Sequence, residues 1–321
     1  MALSRLTLRD FRNHAALEIR PQAKFIALHG SNGAGKTNIL EAVSLLVPGR
    51  GIRRAAMSDM VNNNGGGGFA IVAEVSGNVI GTGVTADQPE LFAERSAARR
   101  RFLDRLVLAL TPSHARHSSR YEKAMQQRNR LLSGAIPADP LWLDALEAQM
   151  AESGRAIQVA RTSVVTALSA QLLTTPAGPF AQPQISLVDK VPTADGDLAC
   201  TWRQGRNRDA AAGRTLIGPH RADLEVIHSG SGQVAEQCST GEQKALLLSL
   251  ILAHAVLVSA QREEAPILLL DEIAAHLDPS RRAALFALLD ETGAQVWMTG
   301  TEPELFHDIG SSAQLLAIGQ H

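Results

Sequence analysis

The sequence predicts an α/β protein: a parallel sheet covered by helices on both faces, with a mainly helical segment inserted into it. Three observations predict it. After Gly218, apolar runs such as "PILLLDE" and "QVWMTGT" alternate with helical segments, the pattern of strands buried on both faces. Near the N-terminus a strand runs into the glycine loop "GSNGAGKT" and on into an amphipathic segment. Between about Leu91 and Leu173 the strand-like sequence stops and helical periodicity takes over.

Taken in order, "LTLRDF", "AALEIRP" and "KFIALHG" read as strands, with turns at Arg12–His14 and Pro21–Gln22. Behind the glycine loop, Ile39, Leu40, Val43 and Leu46 recur at helical spacing. "VNNNGGGG", Val61 to Gly68, is a low-complexity loop, and "FAIVAEV" and "VIGTGV" near it read as strands. "RFLDRLVLAL", "HSSRYEKAMQQRNRLL" and "LWLDALEAQMAESGRAIQVARTSVVTALSAQLL" are helices broken at Thr111–Pro112 and Ser133–Pro140. Strands resume near Gln184 and at "ADLEVIH"; "GEQKALLLSLILAHAVLVSA" and "PSRRAALFALLDE" are helices. The expected division is a discontinuous head of residues 1–90 and 212–321, with residues 91–211 as an inserted helical lobe.

A chain of 321 residues suffices for two domains, or for one large domain with an insertion. With 45% hydrophobic and 20% charged residues it has the composition of an ordinary globular protein. Two cysteines, Cys200 and Cys238, are too few for a disulfide framework or a zinc site and fit a reducing cytosol. Arg5 and Arg9 stand where an apolar signal core would lie, and no long uncharged apolar run follows. Neither secretion nor membrane spanning is expected. The net charge of -1 hides an asymmetry: from Arg95 to Arg130 only Asp104 and Glu122 oppose a run of arginines, whereas acids dominate beyond Arg262. Such a split fits a surface that meets polyanions, and fits a solvated helix face as well.

The loop "GSNGAGKT" satisfies G-x-x-x-x-G-K-[ST] through Gly30, Gly35, Lys36 and Thr37, in the strand–loop–helix setting the pattern requires. Backbone N–H groups across Ser31, Asn32, Gly33 and Ala34 would turn toward the phosphates of ATP, helped by the helix dipole. Lys36 would pair with the β- and γ-phosphates, and the Thr37 hydroxyl would hold Mg2+. At the end of "ILLLDE", Asp271 is placed to bind that Mg2+ directly or through water. Glu272, one residue on, can polarise an attacking water. No N-K-x-D segment follows, which disfavours a small GTPase.

"CSTGEQK" opens the long apolar helix. Ser239 and Glu242 have capping-box spacing, a sufficient reason for both residues. In its order and distance from the two nucleotide segments, the stretch also resembles the S-x-G-[EQ]-[QK] signature of ABC-type ATPases. That resemblance implies a homodimer in which Ser239, Gly241 and Glu242 of one copy close over the γ-phosphate held by the other; Thr240 stands where transporters have glycine. "AAHLDPSRRAAL" resembles the D-loop of those ATPases, with Asp278 communicating across the dimer, while Asp278 before Pro279 is also good N-cap chemistry. The switch histidine of those ATPases is missing. "VWMTGTEPEL" offers Thr299 and Thr301 instead, and a slow ATPase is expected.

"LTLRDFRNH", "GSNGAGKTNILEAVSLL", "RRRFLDRL", "YEKAMQQRNRLL", "GPHRADLEV" and "CSTGEQKALLLSLILA" resemble, in that order, the signature blocks of the RecF family, relatives of SMC and Rad50 heads. The resemblance runs from about residue 3 to residue 305, and the chain is compact for the family. It implies an ABC-type P-loop ATPase head with a helical second lobe. It further implies an ATP-dependent protein that dimerises on duplex DNA at gap junctions and is reset by slow, DNA-dependent hydrolysis. With RecO and RecR it would support RecA loading, gap repair, replication restart and the SOS response. Arg12 and Asn13 fall in the family's "FRN" block, where contact with ATP is implied, although Arg12 can equally end a strand turn. The candidate DNA contacts are Arg99, Arg100, Arg101, Arg105, Lys123, Arg128 and Arg130, which would neutralise phosphates with little sequence preference. Aromatic content of 4% argues against base stacking as the main mode. His220 and Arg221 either line the dimer face or brace a turn. Two other readings stand beside this one: a nucleotide-gated scaffold that recruits RecR, and a transport ATPase subunit, whose glutamine-bearing coupling segment the arginine-rich insertion does not resemble.

Overall fold

The computed structural model describes residues 2–46, 51–53, 55, 57–62, 68–75, 81–84, 96–134, 138–175, 178, 180–189, 197–274 and 277–319. Most of the "NNNGGGG" loop and residues Ala275 and His276 of the expected D-loop lie outside them. In chain order the strands and α-helices are β1 (Leu3–Phe11), β2 (His14–Ile19), β3 (Phe25–His29), α1 (Lys36–Ser44), β4 (Ala70–Val75) and β5 (Gly81–Val84). Then come α2 (Ser96–Leu110), α3 (His114–Leu132), α4 (Pro140–Thr174), β6 (Pro183–Asp189), α5 (Leu198–Gln204), α6 (Arg206–Ala212) and β7 (Ala222–His228). The last are α7 (Thr240–Arg262), β8 (Ile267–Leu270), α8 (Pro279–Glu291), β9 (Gln295–Gly300) and β10 (Ala313–Ala317). They form two compact units, Met1–Glu90 with Gln171–Gln182 and Ser239–His321, and Leu91–Ala170 with Pro183–Cys238. Residues 212–238, grouped with the head from sequence, fall in the second unit, and residues 171–182, grouped with the lobe, fall in the first.

The first unit holds an antiparallel sheet ordered β2-β1-β4 and a parallel sheet ordered β10-β3-β9-β8-β5. Every residue of β8 and β9 is buried, as the apolar runs Ile267–Leu270 and Val296–Met298 require. Leu6, Leu8 and Phe11 of β1, Ile26 and Leu28 of β3, Ile39, Leu40 and Val43 of α1, and Trp297 of β9 share one core. Helix α7 is apolar and long enough to cross a membrane by composition, but 67% of its most apolar window is buried inside the protein, as in a core helix. The parallel register is what builds the site. Leu28 of β3 pairs with Thr299 of β9, and Leu270 of β8 pairs with Met298. The loop after β3, the carboxylates after β8 and the end of β9 therefore meet at the carboxyl ends of adjacent strands, where open α/β sheets bind ligands.

In the second unit, Tyr121 and Ala124 of α3, Leu146, Met150 and Ile157 of α4, and Leu198 and Trp202 of α5 make a core. Helices α5 and α6 were not anticipated. Each spans only 7 residues, too short to display a period, and they meet at Gly205; Asp197 caps the first by accepting the Ala199 N–H at 3.0 Å. The expected DNA contact at Arg128 does not hold. Arg128 is fully buried: its guanidinium bonds Glu147 at 2.9 Å, Asp209 at 2.8 Å, Thr215 at 3.0 Å and the Trp202 carbonyl at 2.9 Å. It ties α3 to α4 and to the α5–α6 region, and cannot present its charge to a DNA phosphate.

Candidate nucleotide site

The P-loop owes its shape to two glycines with close neighbours. Gly30 has φ of +145°, and a Cβ there would stand 2.4 Å from the Ile318 carbonyl oxygen. Gly35 has φ of +100°, and its Cβ would meet Asn13 Oδ1 at 2.4 Å and His14 Nε2 at 2.5 Å. Both conditions exclude a side chain. Ser31, Asn32 and Gly33 are exposed at the loop's crest, Ala34 is half-buried, and the Ala34 N–H bonds the Ser31 carbonyl at 3.2 Å. Lys36 is 3% exposed and reaches back across the loop, Nζ donating to the Gly30 carbonyl at 2.6 Å and the Ser31 carbonyl at 2.8 Å. The ammonium thus already lies within the curl that a phosphate chain would occupy.

The β1–β2 turn clamps this loop from one side. Asn13 Nδ2 donates to the Ala34 carbonyl at 3.0 Å, while its Oδ1 accepts from Asn38 at 2.7 Å, and Asn38 Oδ1 accepts from Arg53 at 2.7 Å. His14 Nε2 donates to the Gly35 carbonyl at 3.0 Å; burial lowers the pKa of its ring, which favours the neutral form. Arg12, at φ of +54°, sends Nε and Nη2 to the two carboxylate oxygens of Glu41 at 2.9 and 2.8 Å, and Nη1 to the Asp59 carbonyl at 2.7 Å. The Glu41 side chain is 0% exposed, so this bidentate pair compensates a buried carboxylate and anchors the turn to α1. His14, Asn38 and Arg53 escaped the sequence reading, since no motif spacing marks residues that meet only through the fold.

Beside the loop, one oxygen collects two hydroxyls. Asp271 Oδ1 accepts from Thr37 Oγ1 at 3.0 Å and from Thr299 Oγ1 at 2.6 Å. The Glu272 N–H donates to the same Thr299 Oγ1 at 2.8 Å. Burial raises the pKa of Asp271, opposed by the bonds from Thr299 and Thr37. The donor set suits Mg2+: among the described residues there is no group of three or more His, Cys, Asp or Glu to hold a metal without help. A hydroxyl and a carboxylate 3.0 Å apart would leave the remaining positions to phosphate and water, which Mg2+ prefers.

At the start of α7 both halves of a capping box form: Ser239 Oγ accepts the Glu242 N–H at 3.3 Å, and Glu242 Oε2 accepts the Ser239 N–H at 2.8 Å. Ser239, Thr240, Gly241 and Glu242 are all exposed. Asp278 likewise caps α8, accepting the Arg281 N–H at 2.9 Å ahead of Pro279.

The cations of the second unit differ in exposure. Arg99 is spent on Asp223, at 3.0 and 2.5 Å, and on Glu236. Arg100 and Arg105 are half-buried, whereas Arg101, Lys123 and Arg130 are exposed. Arg116 and Arg120, not singled out from sequence, are exposed with Lys123, Gln127 and Arg130 on α3 at steps of four and three, which makes one face of the helix. That spacing was the available signal. His220 braces a turn within its unit: its Nε2 donates to the Thr215 carbonyl at 3.0 Å, and its Nδ1 accepts from the Tyr121 hydroxyl at 2.7 Å.

The RecF/RecN/SMC N-terminal domain model matches residues 2–319. The DNA replication and repair protein RecF of Mesorhizobium japonicum is 45% identical over 363 aligned positions, covering 98% of this chain and 96% of that protein. RecF of Rhizobium rhizogenes is 46% identical with the same coverage of both chains. These alignments are longer than the chain, so the relatives carry segments with no counterpart here. Among solved structures, the recombination mediator RecF–ATP of the RecFOR pathway superposes with a TM-score of 0.79 at 21% identity, over 98% of this chain and 95% of that one. An SMC head from Pyrococcus furiosus does so at 0.51 and 15%, over 98% and 92%. The fold is that of an ABC-type ATPase head, and the chain belongs to the RecF family.

Proposed function

We propose that this protein is a nucleotide-switched DNA-binding mediator of recombinational repair, and that the heads of two copies close around ATP. One observation carries the reading: a head with a complete P-loop and an adjoining acidic pair leaves its signature start, Ser239 to Gly241, exposed to solvent. ATP would lie along Ser31–Thr37, with Lys36 exchanging the Gly30 and Ser31 carbonyls for the β- and γ-phosphates. Thr37 and Asp271 would hold Mg2+, which neutralises phosphate charge. Glu272 would accept the proton of the attacking water. Ser239, Gly241 and Glu242 of a second copy would cover the γ-phosphate, with Asp278 beside them. Arg12 acts on the nucleotide through Asn13, which grips the loop, because its own guanidinium is committed to Glu41 and Asp59.

DNA would run along α3. From Arg116 to Arg130 the exposed cationic face, in which Arg120 is paired with Glu152 at 3.1 Å, extends about 21 Å along one strand. Arg101 is the further candidate that remains exposed, with Arg100 and Arg105 beside it. The first unit serves as the head and the second as the helical lobe. Duplex and gapped DNA, RecO and RecR are the partners, RecA loading and the SOS response the outcome, and the cytosol the place of action. Glu272→Gln should bind ATP and then stay on duplex DNA as a dimer, with dissociation slowed at least about tenfold in a filter-binding chase. Release at the parent rate would remove hydrolysis from the cycle.

A further inference from the structure

At the end of β9, Thr299 bonds both Asp271 and Glu272, a position to which neither the motifs nor the relatives' names assign a role. Thr299 is 1% exposed, and its single hydroxyl is used in both directions, donating to Asp271 Oδ1 and accepting from the Glu272 N–H. Glu272 is one of few non-glycine residues at positive φ, +53°, a conformation that is unfavourable for a branchless acidic residue without local support. Its N–H points at Thr299, so the hydroxyl braces the very turn that sets where the Glu272 carboxylate emerges. The register explains why Thr299 can do this. Met298 lies opposite Leu270, so the next residue on each strand brings Thr299 beside Asp271.

We infer that Thr299 is the positioning residue of the hydrolytic site: one hydroxyl fixes the rotation of Asp271 and the backbone turn of Glu272 together. The inference rests on the reading of Asp271 as the Mg2+ carboxylate and Glu272 as the base. In the resting state Asp271 Oδ1 has two hydroxyl donors. Were Thr37 to offer an oxygen lone pair to the ion, its O–H could still donate to Asp271, and Thr299 would be the second and more deeply buried donor that fixes the carboxylate.

Thr299→Val keeps the shape and removes both bonds, and Thr299→Ser restores the hydroxyl. The Val variant should bind ATP without Mg2+ within about twofold of the parent. Its kcat should fall roughly 10- to 100-fold with KM little changed, the cost of a misplaced group. The Mg2+ concentration that half-stabilises the ATP complex against thermal unfolding should rise by about tenfold. The Ser variant should recover both. Parent-like kcat and Mg2+ midpoint in Thr299→Val would overturn the inference, as would an equal loss of Mg2+-free ATP binding, which would mean a merely structural role. If instead the parent shows no turnover sensitive to Glu272→Gln, the reading of the site fails, and the Mg2+ midpoint still tests whether Thr299 holds Asp271.

Discussion

Arg128 and Arg130 show how much two residues decide. On a helix they project about 200° apart, so one is fully buried and the other faces solvent. Arg128→Leu would leave Glu147 facing Arg206 alone, with the Asp209 carboxylate losing its ion pair. We expect a loss of about 3–5 kcal/mol by urea denaturation. Lys123→Ala and Arg130→Ala should instead leave stability within about 0.5 kcal/mol. Each should weaken binding to any duplex sequence and lower the slope of log affinity against log salt by about one. Loss of DNA binding in a well-folded Arg128 variant, with none in Arg130→Ala, would reverse the assignment. In a string of arginines the sequence shows charge but not partners. Glu147, Asp209 and Asp223 lie far from Arg128 and Arg99 along the chain, so nothing local marks those two as structural.

Individual elements were legible where a period or a cap stood close by in sequence. Helix α8 begins at Asp278–Pro279, where the capping chemistry placed it, and α7 carries the capping box its first residues spell. The turn at Gly218–Arg221 was open to two readings, because its support comes from α3, about a hundred residues earlier. The Tyr121 hydroxyl of α3 and the neighbouring Thr215 carbonyl hold His220, and burial pushes its pKa down to about 4. An unfolded histidine titrates near 6.5, so between these values the unfolded chain binds more protons than the native one. The contribution is complete above about pH 6.5 and is lost as pH falls toward 4, by at most about 3 kcal/mol. Urea midpoints measured at pH 7 and pH 5 should therefore fall more steeply for the parent than for His220→Asn, which cannot titrate. Equal slopes would show that the imidazole is not the group linking this turn to acid.

For the whole molecule, fold class and family were legible because the P-loop, the acidic strand end and the signature each carry local spacing, and the parallel sheet brings the first two together. The lid is a different matter, since Ser239 already has a complete job as a helix cap within its own chain. Two effects must therefore be separated at one residue. Ser239→Ala and Ser239→Arg both lose the cap, at a cost of about 1 kcal/mol each, and should melt together as monomers. Only arginine adds a long side chain at an exposed helix start that, in the closed pair, would have to fit against another copy's phosphate. In sedimentation with ATP and Mg2+, on a Glu272→Gln background, the parent should run as a dimer and the alanine variant as a weakened one. The arginine variant should run as a monomer that still binds ATP, since its P-loop is intact. Were the alanine and arginine variants to dimerise equally, the defect would be the missing cap alone. The nucleotide would then have to be enclosed by some other surface than the start of α7.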